Sequence, residues 1–98
     1  MEIARVKGTV VATRKDSKLE GYKMLILQTA DVSGNDRAGA PIVALDTLDS
    51  GVGDLVLVVR GSSARQAMNM SATPVDAVII GIIDNIEYSG KTTFKAAK

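Results

Sequence analysis

The stretch from Gly51 to Arg65 constrains this chain most. Gly51-Val52-Gly53-Asp54 opens it as a turn, Leu55 to Val59 runs apolar without a break, and Gly61-Ser62-Ser63-Ala64-Arg65 ends it. A run this short, rich in β-branched residues and bounded by glycines, reads as a strand with both faces covered. One face can meet the domain's own core. In a chain of 98 residues the other face needs cover too, and a second subunit can supply it.

The remaining segments fit around that strand. Ile3 to Thr13 alternates, with Ala4, Val6, Gly8, Val10 and Ala12 on one face and Arg5, Lys7, Thr9 and Thr13 on the other. Gly8 marks a bend there, as at a barrel corner. Tyr22 to Ala30 forms a second strand around Met24-Leu25-Ile26-Leu27, and Pro41 opens a short third, Ile42 to Leu45. Ser63 and Gln66 stand at capping-box spacing, which predicts a short helix over Ala64 to Met68. Val75 to Asp84 is a fifth strand, in which Gly81 marks a bend or a close backbone approach. Ser89-Gly90 turns into a last short strand, Lys91 to Phe94, and Lys95 to Lys98 is expected to be a loose tail. The predicted fold is one all-β domain over residues 1–98 with one short helix, a small OB-like five-stranded β-barrel; a β-sandwich is the second choice.

Composition argues against catalysis. The chain has no Cys and no His, so it lacks thiolate chemistry, the commonest general base and the commonest metal ligand. Ser62 and Ser63 therefore have no partner to make them nucleophiles. Asp46, Asp49 and Asp54 lack calcium-loop spacing and read as turn caps rather than metal ligands. Gly51-x-Gly53 has no Gly-Lys-Ser/Thr after it and is no phosphate loop. No catalytic residue, cofactor or metal is expected. With no signal peptide or membrane-spanning run, the expected location is the cytoplasm.

Two binding readings remain open. An OB-like barrel could hold single-stranded nucleic acid or a small anion, but Tyr22, Tyr88 and Phe94 sit on separate elements without a basic cluster beside each. A net charge of +1 gives no electrostatic case for nucleic acid, and neither nucleic acid nor membrane is expected as a partner. The charge is unevenly spread. Arg5, Lys7, Arg14, Lys15, Lys18 and Lys23 dominate the first third, while Asp31, Asp36, Asp46, Asp49 and Asp54 face only Arg37 in the middle. Ordinary solvated loops would look like this; so would complementary edges between copies of the chain.

Several segments together resemble one family. Val6-Lys7-Gly8-Thr9-Val10-Val11-Ala12-Thr13, Lys23-Met24-Leu25-Ile26-Leu27-Gln28, Ala44-Leu45-Asp46-Thr47, Gly51-x-Gly53-Asp54 through Gly61-Ser62-Ser63-Ala64-Arg65-Gln66, Pro74-Val75-Asp76-Ala77 and Ile80-Gly81-Ile82-Ile83-Asp84 follow in its order. The chain resembles the EutN/CcmL family, the pentameric vertex proteins of bacterial microcompartment shells. Ser62-Ser63-Ala64-Arg65-Gln66 and the Ser89-Gly90 hairpin are more similar to its metabolosome members. The resemblance implies a homopentameric ring with a narrow central opening at a five-fold corner of the shell, edged by hexameric and trimeric shell proteins. On that basis Gly61, Ser62, Ser63, Ala64 and Arg65 are expected near the five-fold axis. Met24, Ile26, Leu55, Leu57, Val59, Ile80 and Ile82 are expected to serve the core or the subunit interface.

Overall fold

A computed structural model describes residues 1–12, 21–61, 64 and 76–97. Seven strands follow in order: β1 (Glu2–Val10), β2 (Lys23–Thr29), β3 (Ile42–Asp46), β4 (Leu55–Arg60), β5 (Ala77–Ile82), β6 (Asn85–Tyr88) and β7 (Lys91–Lys95). The first five close into a barrel in the order β1-β2-β3-β5-β4, with β4 pairing back onto β1. β3 and β5 pair parallel and all other neighbours antiparallel. Closure leaves none of these five strands with an open edge. Of the expected helix over Ala64 to Met68, only Ala64 belongs to the described residues.

Two apolar layers result. Inside the barrel, Ala4, Val6, Leu25, Leu27, Ala44, Val56, Val58, Ala77 and Ile79 form one buried cluster. Leu45, Val59, Ala64 and Val78 form a second, with Tyr22 and Met24 packed against it. Members of the two clusters alternate along β3, β4 and β5, so the second layer lies on the barrel's outer face. Within one protomer the unbroken Leu55–Val59 run is buried except at Leu57, which is half-buried. Val56 and Val58 fill the barrel, and Val59 is covered from outside.

Two bulges shape the barrel. In β1 the register with β2 shifts between Val6 and Gly8, leaving Lys7 as the extra residue. Val6 lies opposite Leu27 inside, whereas Gly8 and Val10 lie opposite Ile26 and Met24, on the other face. The expectation that Ala4, Val6, Gly8 and Val10 share one face is therefore corrected: the bulge reverses the sides midway. Gly8 does mark the bend. The second bulge puts Gly81 opposite Leu57 and Ile79 opposite Val58, with Ile80 between them. Gly81 thus borders a bend, but a β-carbon there would meet Leu57 at 3.5 Å, an ordinary contact, so no close backbone approach requires glycine.

The last two strands form a separate two-stranded sheet. The segment before Ser89-Gly90 is a strand in its own right, β6, which the apolar runs of the sequence do not predict. Ser89 and Gly90 both have positive φ, 54° and 78°, as a tight hairpin turn demands. β7 runs one residue past Phe94, and the Ala96 N–H donates to the Asp84 carbonyl at 2.8 Å, so the ribbon is tied at its base.

Candidate assembly surface

The glycine that ends β4 stands at the barrel rim. Gly61 is exposed with φ 65°, donates its N–H to the Asp76 carbonyl at 2.8 Å, and accepts from the Ala64 N–H at 3.1 Å. Ala64 is fully buried in the outer cluster, so it anchors this segment rather than lining an opening from its side chain. Ser62, Ser63 and Arg65 lie outside the described residues. Beside Gly61, Arg60 forms a two-pronged ion pair with Glu2, at 2.6 and 3.1 Å, which joins β4 to the start of β1.

The seven residues expected in core or interface divide by location. Leu55 and Val59 are buried within the protomer and cannot meet a neighbour. Met24, Ile26 and Leu57 are half-buried on the outer face. Ile80 and Ile82 are 39% and 41% exposed, which is high for isoleucines in a barrel strand. Val43, opposite Ile26 across β2 and β3, is 51% exposed and joins this set, as do Leu48 and Val52 in the 46–54 loop. Sequence reading missed Val43. Its alternation with Ile42 and Ala44 shows which way it points, but not that the facing side lacks cover.

The 46–54 loop is held by its own carboxylates. Asp46 is buried, and its carboxylate accepts from the Ser50 N–H at 2.7 Å, the Ser50 hydroxyl at 2.9 Å and the Leu48 N–H at 3.1 Å. Asp54 accepts from the Gly51 N–H at 2.9 Å. These are turn caps, as the residue pattern predicts. Lys23 bridges Asp49 at 3.0 Å and Asp46 at 3.6 Å, and also donates to the Ser50 carbonyl. The hydrogen bond that Lys23 donates to Asp49 is the main cause that lifts the Lys23 pKa above its ordinary 10.5. No cluster of three potential metal ligands occurs among the described residues.

A different set of residues fixes the hairpin, and the sequence gives little hint of it. Arg5 donates to the Gly34 carbonyl at 2.7 Å and the Gly53 carbonyl at 2.8 Å, and its guanidinium lies 5.7 Å from the centroid of the Phe94 ring. The Thr93 hydroxyl donates to the Val32 carbonyl. Gly34 has φ 82°, and a β-carbon there would sit 2.8 Å from the Phe94 ring and 2.9 Å from the Arg5 guanidinium. One arginine thus ties β1, two loops and β7 together. In the sequence it is only one polar residue in an alternating strand. Tyr22 packs on the outer cluster and Phe94 under Arg5, so Tyr88 alone of the three aromatics is exposed.

Comparison with known proteins gives this surface its context. The profile of a family described as "Ethanolamine utilisation protein EutN/carboxysome" matches residues 1–84. The carboxysome shell vertex protein CcmL of Nostoc is 40% identical over 94 residues, covering 96% of this chain and 93% of its own. The microcompartment shell vertex protein EutN of Salmonella typhimurium is also 40% identical over 94 residues, covering 96% of this chain and 94% of its own. Among solved structures, the GrpN pentameric microcompartment shell protein of Rhodospirillum rubrum matches with a TM-score of 0.78 at 36% identity, over 90% of this chain and all of that one.

Proposed function

The chain belongs to the EutN/CcmL family, and from that premise we propose that five copies form a ring that closes the five-fold corners of a bacterial microcompartment shell. The role is structural, without catalysis. The observation that carries this reading is the full-length likeness to named shell vertex proteins and to a pentameric shell protein. The apolar side chains left open on the outside of the barrel support it, because a ring needs one patch to meet a different patch on the next copy. Val43 and Ile80 are such side chains. Flat hexagonal tiling cannot close on itself, so a shell of hexameric and trimeric tiles needs five-fold units at its corners.

In this ring the Gly61 end of the barrel, where β4 stops, faces the axis. The chain is assigned to the metabolosome side of the family on its Ser62-Ser63-Ala64-Arg65-Gln66 segment. Overall identity is the same toward a carboxysome and an ethanolamine relative and does not separate them. The ring works in the cytoplasm as part of the shell.

The OB-like alternative needs a stacking platform for single strands or a basic pocket for an anion. Two of the three aromatics are committed to packing, and Arg5 is committed to two carbonyls and a ring, which favours the shell reading. Co-expression with hexameric shell proteins tests it. Closed polyhedra should form with this chain, and open sheets or tubes without it. Equally closed particles in both cases would overturn the proposal.

A further inference from the structure

The barrel closes without β6 and β7. The pairing of β4 with β5 runs on to Ile83, whose N–H donates to the Leu55 carbonyl at 2.8 Å. From Asp84 onward, among the described residues, the backbone makes no bond to a barrel strand. The Asp84 carbonyl accepts from the Ala96 N–H instead, so Asp84 already belongs to the ribbon. The family profile ends at this same residue, 84. The β6–β7 ribbon is therefore an appendage on a finished domain, and the chain joins the two at Asp84.

A two-stranded ribbon is marginal in water by itself, so what it packs on decides whether it is ordered. Side chains do that here. The Phe94 ring lies under the Arg5 guanidinium and rests on Gly34, where a side chain would collide with it. The Thr93 hydroxyl donates to the Val32 carbonyl. The platform under them is built without the ribbon. Arg5 is fixed by the Gly34 and Gly53 carbonyls. The 31–36 loop is fixed by the Asp31 carboxylate, which accepts from the Ser33 and Asn35 N–H groups, and by the ion pair of Lys7 with Asp36. Beside these contacts a cavity of about 470 Å³ separates the two bodies, with Leu55, Ile82 and Ile83 on the barrel side and Phe94, Lys95 and Ala96 on the ribbon side. The ribbon thus touches the barrel at a few points and not over a packed face.

We infer that β6–β7 is a strap that leaves and returns as a unit while the barrel stays folded, with Arg5 as its latch. Opening unseats Phe94 and Thr93 and breaks no barrel pairing. Unfolding the barrel would instead expose Val6, Leu25, Leu27, Val56 and Val58, all fully buried. The strap is therefore the lower-cost opening of the two. When it leaves, Arg5 keeps both carbonyls and gives up only the ring, so the latch stays set for the strap's return. Release also removes the Phe94 wall of the cavity and bares Ile82 and Ile83 at the end of the barrel. The subunit then has two shapes, one with that end covered and one with it open. This device belongs to a single protomer and does not rest on the ring.

Hydrogen exchange of the full chain, followed by mass spectrometry at a low and a high protein concentration, tests it. In the wild type the paired amides of β6 and β7 should be at least about thirtyfold less protected than those of β1, β2 and β4. Ile79→Val, inside the barrel, should lower barrel protection about fivefold and leave the ribbon's unchanged, because the ribbon opens without the barrel. Phe94→Leu and Arg5→Gln should each lower the ribbon's protection about fivefold. Equal protection of ribbon and barrel in the wild type, or a ribbon that follows the barrel in Ile79→Val, makes them one cooperative unit and overturns the strap. Ribbon protection unchanged in Arg5→Gln overturns the latch. Ribbon protection that rises to the barrel's at the high concentration assigns the hold to a neighbouring copy and overturns the inference too.

Discussion

Asp46 is a buried carboxylate with three hydrogen bonds from Ser50 and Leu48 and a cation nearby. Its partners are local, two and four residues on, so it shapes the turn after β3 rather than a binding site. Removing it strands buried donors. We expect Asp46→Ala to cost about 2–3 kcal/mol in urea denaturation, and Ser50→Ala about 1 kcal/mol. Lys23 acts in the alkaline range. Its folded-state pKa is raised, chiefly by Asp49, so its contribution is fully present below its ordinary pKa and fades as pH climbs through the raised value. Lys23→Met should flatten the loss of stability above about pH 10. An unchanged alkaline limb in that variant would contradict the pairing. Gly34 is the most constrained glycine: Gly34→Ala should cost about 2 kcal/mol through its positive φ and the crowding of Phe94 and Arg5. Hydrogen exchange should place that loss in residues 85–95 more than in the barrel.

At the scale of elements, five strands and their order of appearance are legible from apolar runs between glycine-marked turns. The sides of those strands are less so. Along Ile3–Thr13 the alternation looks uniform, yet Lys7 bulges and sends Val6 inward and Val10 outward. A bulge is a property of two paired strands, and one strand's sequence can only hint at it, as Gly8 does. β6 is missed for a related reason: in Asn85-Ile86-Glu87-Tyr88 only one face carries apolar side chains, Ile86 and Tyr88, and the strand gains its form from pairing with β7. The aspartate caps are readable because each acts within a few residues. The Arg5 latch is not, since its partners lie 29 and 48 residues away. Gly81 separates folding from assembly. An added β-carbon meets Leu57 at an ordinary 3.5 Å within the protomer, so Gly81→Ala should melt within a few degrees of wild type. If its ring mass is lost while melting is kept, the β4–β5 outer face meets a neighbour.

For the whole molecule, the claim is that a barrel with a finished interior and an unfinished exterior is a subunit. Val56, Val58, Leu25 and Leu27 are fully buried without help, so the protomer should fold before it assembles. The most direct measurement is electron microscopy of the purified oligomer, with class averages viewed down its axis. The account predicts five identical lobes with the Gly61 end of each barrel turned inward. Isolated lobes, or a ring with that end on its outer rim, would contradict it.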